Sequence, residues 1–181
     1  MSLDHEDSNH KLCKEVLFNK VTIPDENIHR IDPALVDDTE ALAMAYEEQL
    51  IAEFANKDSA RFPVFDLILL GLGPDGHTAS LFPDHPLLVQ TDRWVAYLED
   101  SPKPPPRRIT LTLPVINHAS LVAFVATGGS KQDILAEIID NPAHLSLPAS
   151  RVQPAASGQV YWFVDDAASA KVEYVKTPFK L

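Results

Sequence analysis

Among the seven histidines of the chain, one stands inside a cluster of glycines: Gly71-Leu72-Gly73-Pro74-Asp75-Gly76-His77-Thr78. An imidazole titrates near neutral pH and can take a proton from water or return one, so His77 is a candidate general base. Asp75, two residues earlier, can orient that ring or compensate its charge; it can equally cap a following helix or brace the turn. The glycines open φ values closed to other residues and leave backbone amides uncovered beside a ligand. They also suit any strand-to-helix turn for geometry alone, and a histidine there can be a surface or capping residue. Gly73 and Gly76 are therefore candidate binding positions, with a purely structural loop as the competing reading.

Two cations have local settings that suit an anion. Lys131 follows Gly128-Gly129-Ser130 at the start of a helical stretch, where the helix dipole disfavours a cation unless an anion sits there too. Arg108 opens the stretch Ile109-Thr110-Leu111-Thr112-Leu113 directly after a proline-rich run, which would present its planar fork from a stiff anchor. The alternatives are a solvated lysine and an ordinary strand-end arginine; Lys103 and Arg107 read as solvated. The glycine cluster lacks the spacing and the acidic partner of a dinucleotide site and the Gly-Lys-Ser/Thr ending of a nucleotide phosphate loop. No nucleotide cofactor is expected. His5, His10, His29, His85, His118 and His144 form no ligand-spaced set with Cys13 or with carboxylates, so no metal site is expected either. A serine hydrolase elbow, Gly-x-Ser-x-Gly, is missing.

The elements that must position these residues follow from periodicity. A helix starts near Asp7-Ser8-Asn9 and carries Leu12, Val16 and Leu17; a longer one follows Asp37-Asp38-Thr39 with Leu42, Tyr46, Leu50 and Phe54 on one stripe and Glu40, Glu47 and Glu48 off it. Phe65 to Leu70 is an apolar run of strand length that predicts burial on both faces, ending at the glycine cluster, with a short helix expected at about Thr78 to Leu81. Leu121 to Ala126 repeats the pattern, followed by a helix from Lys131 to about Ile139. Further strands are expected at Trp94 to Leu98, Ile109 to Leu113 and Val160 to Val164, the last leading into an alanine-rich helix from about Asp165. Ser101-Pro102-Lys103-Pro104-Pro105-Pro106 can be neither helix nor central strand. Alternating strands and helices predict an α/β fold with a largely parallel sheet and helices on both faces, doubly wound and Rossmann-like, with ligands at the strand C-terminal ends. The chain opens, unusually for such a fold, on two helices and no strand.

With 181 residues and 45% hydrophobic content, residues 1–181 read as a single domain. A formal charge of -11 argues against nucleic acid or an anionic membrane as partner, while a small anion remains open to a local convergence of Arg and Lys. The one cysteine, Cys13, allows no intrachain disulfide, and the N-terminus has neither the basic nor the apolar region of a signal peptide. A cytoplasmic protein is expected.

These residues together resemble the 6-phosphogluconolactonase family, its eukaryotic type most of all. Phe65 to Pro83, spanning the glycine cluster, is similar to the family signature. Asp100 to Pro105, Arg108 to Pro114, Phe124 to Gly128 leading to Lys131, and Val160 to Asp165 agree in the same order. The resemblance implies hydrolysis of 6-phospho-D-glucono-1,5-lactone to 6-phospho-D-gluconate, in the oxidative pentose phosphate pathway, without a metal. It implies His77 as general base, amides around Gly73 and Gly76 at the oxyanion, and Arg108 and Lys131 on the 6-phosphate of a phosphorylated sugar lactone. It also implies that the chain is incomplete at its N-terminus: Leu3 to Asn9 resembles the segment that follows further βα units, which bear a Ser-Gly-Gly-Ser loop and an Asp-Glu-Arg strand end. Weak or absent turnover follows as an expectation. The alternatives are an inactive family member that binds phosphosugars or partners, and an amino-sugar 6-phosphate deaminase/isomerase of the same fold.

Overall fold

The structure, a computed structural model, describes residues 1–54, 61–143, 145–154 and 158–178. His144, which was expected to join no metal cluster, lies outside the described residues. The elements run α1 (Asn9–Val16), α2 (Thr39–Phe54), β1 (Ile68–Gly71), β2 (Val95–Leu98), β3 (Arg108–Leu111), α3 (Leu113–Ile116), β4 (Leu121–Ala126), α4 (Gln132–Asp140) and β5 (Gln159–Val164). This is an α/β fold with a parallel sheet. The residues gather into two compact units, Met1–Ala60 with Val95–Ile109 and Arg61–Trp94 with Thr110–Leu181.

In the first unit, Ser8 caps α1 by accepting from the Lys11 amide, and the Asp38 carboxylate accepts from the Ala41 amide in the first turn of α2. Leu42 and Leu50 of α2 are buried and Tyr46 and Phe54 half-buried, as their four-residue spacing requires. Leu12 and Val16 of α1, by contrast, are more than half exposed. Glu47 reads as a solvated face in the sequence, yet its Oε2 accepts the Val95 amide at 2.8 Å and fastens α2 to β2.

In the second unit the strand order is β1-β4-β5, all parallel, and the register pairs Gly71 with Val125 and Ala126 with Val164. The three strands therefore end close to one level, and the turns that follow them share one edge of the sheet. Alternation sends Ile68, Val122, Phe124 and Ala126 to one face, where they form a core with Leu113 and Ile116 of α3 and Leu135 and Ile138 of α4. Phe124 stacks on Trp162 of the neighbouring strand with ring centroids 4.0 Å apart. The opposite face keeps Leu69, Val125, Tyr161 and Phe163 exposed, so the burial on both faces expected of Phe65 to Leu70 is not found. Two expected helices are also absent. Thr78 to Leu81 is a tight turn closed by a bridge between its ends, with Ala79 at φ 50°, and the chain after β5 makes turns from Asp166. Among the described residues no helix is long and apolar enough to cross a membrane.

Candidate active site

The turn after β1 is built from its own backbone. The Gly73 amide donates to the His77 carbonyl at 2.8 Å and the Gly76 amide to the Gly73 carbonyl at 3.0 Å, closing a small ring of chain. Buried Thr78 ties the far end back to the strand, its Oγ1 donating to the Gly71 carbonyl at 2.9 Å. The Ala149 amide donates to the Gly76 carbonyl, and Leu147 packs where a Gly76 side chain would stand. Gly76 sits at φ +82°, which only glycine adopts without strain.

This ring aims the imidazole. His77 Nδ1 lies 2.6 Å from Asp75 Oδ1. Opposite an ionised carboxylate, which can only accept, Nδ1 is the donor, and a neutral ring in that tautomer has its lone pair on Nε2. The contact fixes the two side chains against each other, and no helix follows for Asp75 to cap. Phe82 lies against the imidazole with centroids 4.6 Å apart and planes tilted by 30°, and it is almost wholly buried, so it is a fixed wall. The His77 side chain itself is 17% exposed. The Gly73 and Gly76 amides both donate within the turn; what Gly73 supplies is room, since a Cβ there would collide with the ring.

Lys131 belongs to the same edge of the sheet. It ends a 3-10 turn, Gly129–Lys131, that follows β4, and Gly129 and Ser130 are exposed beside it. Arg108, in the first unit, is placed otherwise than a free fork: its Nε donates to the Pro105 carbonyl at 2.9 Å, and Nη2 to those of Lys103 and Pro104. Burial pushes its guanidinium below the ordinary value, though an arginine stays charged at any physiological pH. It therefore holds the proline-rich loop in shape as well as bearing charge. Two residues had no role in the sequence reading: Phe82, visible only as part of the motif, and Asp165, expected merely to open a helix. Among the described residues no group of three or more His, Cys, Asp or Glu side chains is gathered as a metal ion would need.

A family described as glucosamine-6-phosphate isomerases/6-phosphogluconolactonase matches residues 1–162. The chain belongs to this family. It is 49% identical to a probable 6-phosphogluconolactonase of Schizosaccharomyces pombe over 176 residues, covering 94% of this chain and 68% of that one. Against human 6-phosphogluconolactonase the identity is 47%, covering 92% of this chain and 62% of the human protein. The chain thus spans about two thirds of the length of these relatives. The fold is similar to that of 6-phosphogluconolactonase from Trypanosoma cruzi, with a TM-score of 0.81 and 30% identity over 96% of this chain and 70% of that one. Its α/β architecture is accordingly that of the family.

Proposed function

We propose that the chain is a lactonase that hydrolyses 6-phospho-D-glucono-1,5-lactone to 6-phospho-D-gluconate, with His77 as general base. The observation that carries this reading is the Asp75–His77 pair, held at 2.6 Å on a closed turn at the C-terminal edge of a parallel sheet. Relatives that share nearly half of the sequence bear the name of that activity. With Nδ1–H directed at Asp75, Nε2 takes a proton from water as the water oxygen bonds to C1 of the lactone. The tetrahedral intermediate then collapses with cleavage of the bond from C1 to the ring oxygen, which leaves as the C5 hydroxyl after receiving a proton, in keeping with the imidazolium as donor. Asp75 stabilises the imidazolium formed between the two steps. Lys131 is proposed to hold the phosphate, fixing C1 against the water; Gly73 and Gly76 shape the space beside it. The substrate is thus a phosphorylated sugar lactone, and the setting proposed is cytoplasmic, consistent with a lone cysteine.

The test is the hydrolysis rate of freshly generated lactone, corrected for spontaneous ring opening. His77→Ala is expected to lower kcat by about 100- to 10,000-fold, the usual worth of a positioned general base. Asp75→Asn is expected to lose at least about tenfold, because an amide can also donate to Nδ1 and select the wrong tautomer. Phosphosugar binding by folded wild-type chain with no hydrolysis above background would instead support a binding protein without turnover.

A further inference from the structure

The turn after β4 and the turn after β5 lie side by side, because Ala126 and Val164 are register partners at the ends of neighbouring parallel strands. One carboxylate joins them. Asp165 directs both oxygens at the Gly128 amide, each at 3.1 Å, while Oδ1 also accepts the Ala168 amide at 2.7 Å and the Asp165 carbonyl takes the Ser169 hydroxyl at 2.8 Å. Ala168 and Ser169 are buried, so the carboxylate has a firm base. Gly128 is held at φ 87° and ψ 148°, a conformation that side chains avoid, and its carbonyl in turn accepts the Lys131 amide at 3.1 Å. An aspartate beside a phosphate-binding turn would ordinarily repel the ligand. Here its charge is committed to backbone N–H groups, and these bonds hold the positive-φ glycine from which the Gly129-Ser130-Lys131 turn, exposed at Gly129 and Ser130, continues.

We infer that Asp165 is a positioning residue for anion binding at the Gly128 to Lys131 turn, holding that turn in the shape that receives the phosphate of the substrate. The inference rests on the proposed lactonase reading and deepens it. Asp165→Ala is expected to raise KM for the lactone by about tenfold, equivalent to about 1.4 kcal/mol, with kcat within about threefold of wild type. Asp165→Asn, which retains an acceptor oxygen, should recover most of the loss. Titration with inorganic phosphate, followed through the backbone amide NMR signals of residues 128–131, should show the same weakening and the same rescue. An unchanged KM and phosphate affinity in Asp165→Ala, a fall in kcat that the Asn variant does not repair, or a wild-type turn unmoved by phosphate would each overturn the inference. Those results leave the His77→Ala comparison untouched, so hydrolysis by wild type lost in that variant would still uphold the lactonase, and its absence would remove the lactonase while the phosphate titration still judged the turn.

Discussion

A methyl group at position 73 has no space of its own: it would collide with Nδ1 and Cε1 of His77 and stand 2.6 Å from Asp75 Oδ1. Both obstacles are the ends of side chains rather than backbone, so the fold can yield by swinging the imidazole away. Gly73→Ala should therefore keep its melting temperature close to wild type while kcat for the lactone falls by at least about 100-fold, the worth of the displaced base. Gly76 makes the opposite case. Its φ of +82° and its approach to Leu147, 2.9 Å from an added Cβ, put the cost in the backbone and the packing. Gly76→Ala should lose at least about 1 kcal/mol of stability, read from chemical denaturation. A Gly73 variant that unfolds early, or one that retains full turnover, would show that the glycine does not make room for the dyad. The cluster was legible as a site because histidine and aspartate types stand among glycines. What spacing could not reveal is that the glycine amides bond within the turn, since that depends on how the ring of chain closes.

Elements were legible where a period and a cap coincide. Ser8 and Asp38 cap α1 and α2 where the sequence places helix starts, and the apolar run of β4 is strand over its full predicted length. Thr78 to Leu81 and the chain after Asp165 are turns where helices were expected: the Thr78 hydroxyl bonds back to Gly71 in a tight turn, while Asp165 makes a cap-type bond to the Ala168 amide but is also drawn to Gly128 across the sheet edge, and the chain beyond it continues as turns. Within α2, Tyr46 offers a test of packing by pH. Burial raises its phenol above the ordinary value of 10.0, so the folded state holds the proton more tightly than the unfolded chain. The sign follows from linkage: that contribution is fully present below about pH 10, the unfolded value, and is lost as pH rises through the higher folded value. Tyr46→Phe cannot ionise. Its stability, measured by denaturant titration across the alkaline range, should decline less steeply above about pH 10 than that of wild type; parallel curves would mean that Tyr46 is not buried in solution.

On the scale of the molecule, one face of the parallel sheet is packed and, among the described residues, the other keeps large apolar side chains exposed. Ile68, Val122 and Phe124 are buried in the core, while Leu69, Val125, Tyr161 and Phe163 on the other face are 69%, 53%, 48% and 42% exposed. The sequence cannot separate these cases, because a run such as Leu67-Ile68-Leu69-Leu70 carries no alternation and reads as buried on both sides wherever the cover comes from. A contiguous apolar face of this kind attracts other apolar surface in water. The polypeptide of 181 residues is therefore expected to bind a hydrophobic dye such as ANS while folded and to self-associate as its concentration rises. Leu69→Thr combined with Phe163→Thr keeps strand-compatible side chains and removes apolar area, so it should weaken both effects without loss of secondary structure. Sedimentation velocity, with circular dichroism on the same samples, decides the matter: a wild-type chain that stays monomeric and dye-free at every concentration would mean that this face is covered in solution.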